Sequence, residues 1–165
     1  MNSIDLSMFV EFGVGLAGFS GVVAAFGLMS DDRFRIILLL AFALVPAFVS
    51  TVPTVLAGFG FSDVEATRSL GIVLSACLVF LIALPFLLVR RLSATARSNL
   101  SRVIWQVGIG GTLLALAWNV LNLLGWPQPI SAGPVVATLV WLLFMASLMF
   151  LRLLLARVRA SHPDS

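Results

Sequence analysis

The side chain best suited to chemistry is Glu11, the one carboxylate that lies inside an apolar stretch of the sequence. After it, no charged residue occurs from Phe12 to Ser30. An ionisable group in such a run is costly to keep, so it marks a candidate functional site by default. The alternative is a structural role, in which Glu11 extends to headgroup water or pairs with Arg68.

Amides and hydroxyls in two later apolar runs could act together with Glu11. Asn119 and Asn122 are three residues apart, so they share a helix face. If the runs cross a membrane as helices, these groups lie in its outer half, with Glu11 one to two turns below the surface. The sequence therefore predicts a polar pocket, or the entrance of a pore. Its candidate residues are Glu11, Thr51, Thr54, Arg68, Asn119 and Asn122. The alternative for the two asparagines is hydrogen bonding between helices.

The sequence does not support a metal site, a hydrolytic site or nucleic-acid binding. The single histidine, His162, lies in a short polar tail, and the single cysteine, Cys77, lies within an apolar run. A metal site or a Ser-His-Asp set needs more such groups than these. The net charge of +3 comes from arginines at the edges of apolar runs, without the basic patch that nucleic-acid binding requires. We expect no metal, no cofactor, no nucleic-acid partner and no enzymatic activity.

The elements that carry these residues are predicted to be transmembrane helices. The chain is 61% hydrophobic and 10% charged, whereas soluble domains carry about 25% charge. Charged residues separate apolar runs of membrane-spanning length, and the longest run contains a Gly- and Pro-rich turn from Gly125 to Pro134. We predict an all-α, polytopic membrane bundle, a single integral membrane domain over residues 1–165. Its five passes cover residues 6–29, 36–60, 69–89, 103–126 and 134–151.

Arginine placement predicts the orientation of these passes. With five passes, nine arginines fall on one side: Arg33, Arg35, Arg90, Arg91, Arg97, Arg102, Arg152, Arg157 and Arg159. Arg68 alone falls on the other side. Cytoplasmic loops carry an excess of basic residues, so the N-terminus is expected outside and the C-terminus inside.

Small residues recur every four positions along the first pass: Gly13, Ala17, Gly21 and Ala25. Such a row lets two helix backbones approach closely in lipid. The face either packs against another helix of the same chain or mediates self-association.

The run Ala17-Gly18-Phe19-Ser20-Gly21, which follows the early acidic residue Glu11, resembles the first helix of small bacterial multi-span membrane proteins. The likeness covers about one helix. It implies a helical protein of the bacterial inner membrane whose activity is unknown, and it transfers no catalytic or binding residue.

Two functions are compatible with these features. The leading hypothesis is a small channel-like or transport-like protein that acts as a homo-oligomer, with the lipid bilayer and further copies of itself as partners. The alternative is a non-transporting membrane subunit or scaffold that docks a partner through the Gly/Ala face of the first helix. A transporter should place Glu11, Asn119 and Asn122 around a hydrated cavity. A docking subunit should satisfy these groups internally and leave its small face empty.

Overall fold

The computed structural model describes residues 6–25, 30–89, 102–126 and 130–161, and these residues form α-helices and no strand. The helices are α1 (Ser7–Ala25), α2 (Ser30–Val49), α3 (Val52–Gly58), α4 (Asp63–Val89), α5 (Arg102–Leu123) and α6 (Gly133–Ser161). The prediction of an all-α fold is therefore confirmed for this part of the chain.

Among the residues that the structure describes, four segments are long and apolar enough to cross a membrane: Ile36–Gly58, Asp63–Leu87, Gln106–Leu123 and Gly133–Leu155. In α1, the apolar segment Ser7–Phe19 is shorter than this length. The membrane character expected from the composition is confirmed at this level. A fifth pass and the orientation of the termini stay predictions.

The helices α2 and α6 lie between α1 and α4. Helix α1 packs on α2 and α6, and α4 packs on these same two helices as well as on α3 and α5. One apolar core joins these helices, with fully buried leucines such as Leu74, Leu78, Leu139 and Leu142 at its centre. A smaller cluster of Ile36, Leu39 and Leu153 joins α2 to α6 near the start of α2.

The predicted second pass is a broken helix. Pro46 lies within α2, which continues to Val49, but the residues Ser50 and Thr51 form a turn before α3 begins. Pro53 has no N–H to donate to the carbonyl of Val49, so the hydrogen-bond ladder is interrupted here. The hydroxyl of Ser50 donates to the carbonyl of Pro46 at 2.6 Å, and that of Thr51 to the carbonyl of Phe48 at 2.7 Å. These bonds use carbonyls next to the break, as expected for backbone in an apolar setting.

Helix α4 begins two turns before the predicted third pass because Ser62 and Glu65 form a capping box. The Oε2 atom of Glu65 accepts hydrogen bonds from the N–H of Ser62 at 2.9 Å and from its hydroxyl at 2.7 Å. The N–H of Glu65 donates in return to the hydroxyl oxygen of Ser62 at 3.4 Å, which is the reciprocal arrangement of a capping box at a helix start. Asp63 and Arg68, placed in a loop by the sequence, therefore belong to the first turns of α4.

Candidate functional site

Asn119 is the most deeply buried polar residue of the predicted pocket, with an exposed fraction of 0%. Its Nδ2 group donates to the carbonyl of Ala115 at 2.9 Å and to the hydroxyl oxygen of Thr138 on α6. The hydroxyl of Thr138 donates in turn to the carbonyl of Pro134 at 2.8 Å. Asn119 thus joins α5 to α6, in line with the interhelical role weighed for the asparagines.

Asn122 holds the connection between α5 and α6. Its Nδ2 group donates to the carbonyl of Ser131 at 2.9 Å, and its Oδ1 atom accepts from the N–H of Ser131 at 3.0 Å. Both polar atoms of the amide are therefore used by one backbone residue in the segment that leads into α6. The chain leaves α5 through Gly125, which has a positive φ of 72° that glycine adopts without strain.

Glu11 lies on an exposed face of α1 and forms no ion pair within the part of the chain that the structure describes. The position of Glu11 along α2 can be located from Gly13, two residues further along α1. Gly13 packs directly on α2, because a Cβ added there would lie 2.6 Å from the carbonyl oxygen of Ala43 and 2.9 Å from the Cβ of Ala47. The short link between α1 and α2 makes them antiparallel, so Glu11 lies near the level of Ala47. Ala47 is the middle residue of the segment Ile36–Gly58. Glu11 is therefore level with the middle of that segment, on the α2 side of the break at Ser50 and Thr51.

The other residues of the predicted pocket are spread over the surface. Thr51, Thr54 and Arg68 are exposed. The hydroxyl of Thr51 donates to the carbonyl of Phe48 near the end of α2. Glu11 and Arg68 lie on α1 and α4, which are separated by α2 and α6. Asn119 contacts α6, Asn122 contacts the segment between α5 and α6, and Glu11 lies on the exposed face of α1. Pairing of Glu11 with Arg68 within one chain is therefore not seen. A pocket shared by all six residues stays a prediction.

The small-residue face of α1 divides into an internal and an open part. Gly13 is buried against α2, and Ala17 is half-buried. Gly21 is exposed, and a Cβ added there would meet no atom within 4 Å. The side chain of Ala25 lies outside the described residues. Gly13 thus packs against another helix of the same chain, which is one of the two alternatives for this face. Gly21 is open to contact with another chain.

Several polar groups of this region were not found from the sequence: Ser75, Ser131, Thr138 and Trp141. Thr138 could have been identified from the register of the hairpin, because residues 119 and 138 lie at nearly equal distances from its centre near Gln128. Three buried polar atoms have no hydrogen-bond partner within the described chain: Ser75 Oγ, Asn119 Oδ1 and Trp141 Nε1. The Trp141 ring covers Gly111, where a Cβ would collide with it.

The described residues contain no cluster of three or more His, Cys, Asp or Glu side chains that could hold a metal ion. The buried polar groups described on α5 and α6 are amides, hydroxyls and the indole N–H of Trp141, so this part of the site is neutral. Such groups can bind a small uncharged hydrogen-bonding molecule or fix one helix against another. They supply no nucleophile with an adjacent base.

No protein-family model, no curated protein and no solved structure matches this chain. The resemblance of residues 17–21 to small multi-span proteins stays a prediction.

Proposed function

We propose that this protein is a membrane-embedded subunit that binds another transmembrane helix along the exposed face of α1. The expected partner is a second copy of the chain, in a bacterial inner membrane. This is the docking alternative of the sequence analysis combined with its expectation of self-association. No catalytic step is part of the proposal.

The observation that carries the proposal is the position of Glu11. The carboxyl group is exposed, has no ion-pair partner among the described residues, and lies at the level of the middle residue of the segment Ile36–Gly58. A charged residue at the centre of a bilayer costs about 2.5–3.5 kcal/mol on insertion scales, and such residues normally face other protein. A partner helix over this face removes the carboxyl group from lipid.

The surroundings of Glu11 fit a close helix–helix contact. Gly15 and Gly18 follow Glu11 at spacings of four and seven residues, so all three lie on one face of α1. Both glycines are exposed, and a Cβ added at either would meet nothing within 4 Å. Small residues at an interface let two backbones approach closely, which is the main source of attraction between helices in lipid.

A second copy suits this face because symmetry places the two Glu11 side chains at the same level. The contact between the two helices then covers both carboxyl groups and removes them from lipid. Arg68 is a poorer partner, since it lies in the second turn of α4, toward the end of its pass, whereas Glu11 is near the middle of one.

A channel-like or transport-like activity is the second candidate. The observation that favours it is the break in the second pass at Ser50 and Thr51, because transporters often bind their substrates at discontinuous helices. Asn119 and Asn122, in contrast, are engaged with α6 and its connection, as expected for a docking subunit. The docking function is therefore the one that the geometry supports better.

The test measures self-association in lipid vesicles at decreasing protein-to-lipid ratios, by energy transfer between labelled copies. The double variant Gly15→Leu/Gly18→Leu should weaken association at least about tenfold, equivalent to about 1.4 kcal/mol. Gly110→Leu is the matched control, because Gly110 on α5 is also exposed with nothing within 4 Å of an added Cβ.

Glu11→Gln keeps a hydrogen-bonding side chain of the same length and removes the charge, so it should preserve association. A wild-type chain that stays monomeric at every protein-to-lipid ratio would refute self-association. Equal effects of the α1 and Gly110 variants would refute the assignment to α1.

A further inference from the structure

Two buried polar atoms on different helices lack a hydrogen-bond partner within the described chain. They are the Oδ1 atom of Asn119 on α5 and the hydroxyl oxygen of Ser75 on α4. A buried acceptor without a donor costs about 1–3 kcal/mol, so each such atom needs an explanation. The interhelical bonds of Asn119 to α6 do not supply one, because they use its Nδ2 group.

The packing of α4 against α5 places these two atoms opposite each other. A Cβ added at Gly71 would lie 3.0 Å from a terminal methyl of Leu123, so these two residues mark one level of the antiparallel pair. Ser75 is one turn further along α4, and Asn119 is one turn earlier along α5. Residues four apart share a helix face. Ser75 and Asn119 therefore face each other one turn below the contact of Gly71 with Leu123.

The orientation of the Asn119 amide is determined by its partners. Nδ2 donates to the carbonyl of Ala115, which can only accept, and to the hydroxyl of Thr138, whose proton is given to Pro134. Reversing the amide would place Oδ1 against two acceptors. Oδ1 is thus fixed away from α6 as an acceptor, and the molecule that satisfies it must donate a hydrogen bond.

We propose that Asn119 Oδ1 and Ser75 Oγ together bind one buried water molecule that bridges α4 and α5. Water donates to Oδ1 and exchanges a second hydrogen bond with the hydroxyl of Ser75, which meets the two to four polar partners that a buried water needs. The polar groups of this layer are amides and hydroxyls without a carboxylate, so a bare cation there would lack a counter-charge. This site does not depend on association through α1.

The level of this site coincides with that of the break in the second pass. Thr138 is bonded to Asn119, and the cluster of Ile36, Leu39 and Leu153 sets the register of α2 against α6. Counting along both helices from that cluster brings Ser50 to about the level of Thr138, at 1.5 Å per residue. Ser50 is itself buried. The proposed water therefore lies in a layer of the bundle to which the turn after α2 and the helices α4, α5 and α6 each contribute a polar side chain.

The test is water-edited solid-state NMR of the full chain in lipid vesicles, with Asn, Ser and Thr labelled. It measures how fast magnetisation passes from water to each side chain. Thr112 is the internal control, because it is buried on the same helix and its hydroxyl is bonded to the carbonyl of Gly108 at 2.7 Å. A buried water at Asn119 should make transfer to its amide at least about threefold faster than transfer to Thr112.

Ser75→Ala removes one partner of the water and should bring the Asn119 rate down to that of Thr112. The matched control is Ser147→Ala, because the hydroxyl of Ser147 is already bonded to the carbonyl of Leu143 on its own helix. Unchanged signals elsewhere in the spectrum show that the variants fold. Equal rates for Asn119 and Thr112 in the wild-type chain would overturn the proposal, as would an Asn119 rate that Ser75→Ala leaves unchanged. A direct hydrogen bond between Ser75 and Asn119 would give slow transfer to both and would overturn it too.

Discussion

The substitution Asn122→Ala tests whether one side chain fixes the connection between α5 and α6. The amide of Asn122 exchanges two hydrogen bonds with the backbone of Ser131, at 2.9 and 3.0 Å. Alanine removes both and leaves the N–H and C=O groups of Ser131 without these partners. We expect the α5–α6 hairpin to lose stability without a change in the rest of the bundle.

The size of the loss follows from the number of bonds. Interhelical hydrogen bonds in membrane proteins average about 0.6 kcal/mol each, and intramolecular bonds in general about 0.5–1.5 kcal/mol. The two bonds of Asn122 are therefore worth about 1–2 kcal/mol of unfolding free energy. That range exceeds the change of about 0.5 kcal/mol that is usual for surface substitutions.

The assay is reversible unfolding in mixed micelles with increasing SDS, followed by tryptophan fluorescence. The matched control is Gln106→Ala, which removes an exposed amide from the same helix that has no hydrogen bond within the described chain. The control should change the unfolding free energy by less than about 0.5 kcal/mol. If both variants lose the same amount, Asn122 does not stabilise the connection and our reasoning on the hairpin is wrong.

Three further predictions concern the glycines and the threading. Gly13→Ala should lower the unfolding free energy by about 1–3 kcal/mol, because the new Cβ would collide with the α2 backbone. Gly15→Ala is the control and should not lower it, and the same SDS titration measures both variants. Gly111→Ala should also lower it by about 1–3 kcal/mol, since the ring of Trp141 occupies the space of the new methyl group, and near-UV circular dichroism should show the ring displaced. Reporter domains fused before Met1 and after Ser165 should be accessible from opposite sides of the membrane; reporters on the same side would contradict five passes.

Much of the helical architecture could be predicted from hydropathy and charge, because an apolar run in lipid must satisfy its backbone internally. Hydropathy alone does not predict that α4 begins at Asp63, ahead of the predicted third pass, because Asp63, Glu65 and Arg68 are charged. The pattern of Ser62 followed three residues later by Glu65 is a capping-box signature, which does predict this start. Local hydrogen bonding, unlike hydropathy, determines where such a helix begins.

The polar residues show a different limit of prediction from the sequence. Spacing alone placed Asn119 and Asn122 on one face, but it did not determine whether that face met a cavity or a neighbouring helix. Whether the asparagines meet a cavity or a helix depends on their hydrogen-bond partners. Thr138 is 19 residues from Asn119, and Ser131 is 9 residues from Asn122. The level of Glu11 along α2 does not follow from the sequence, because the register of α1 on α2 is set by the contact of Gly13 with Ala43 and Ala47. Contacts of this kind depend on side-chain volume at both helices.

The break at Ser50 and Thr51 also has a mechanical consequence. Helix α3 has no buried residue, its principal neighbour is α4, and no unbroken backbone ladder joins it to α2. A strain that moves α3 can therefore be taken up by rotation at Ser50 and Thr51, without unwinding α2 or displacing its packed residues.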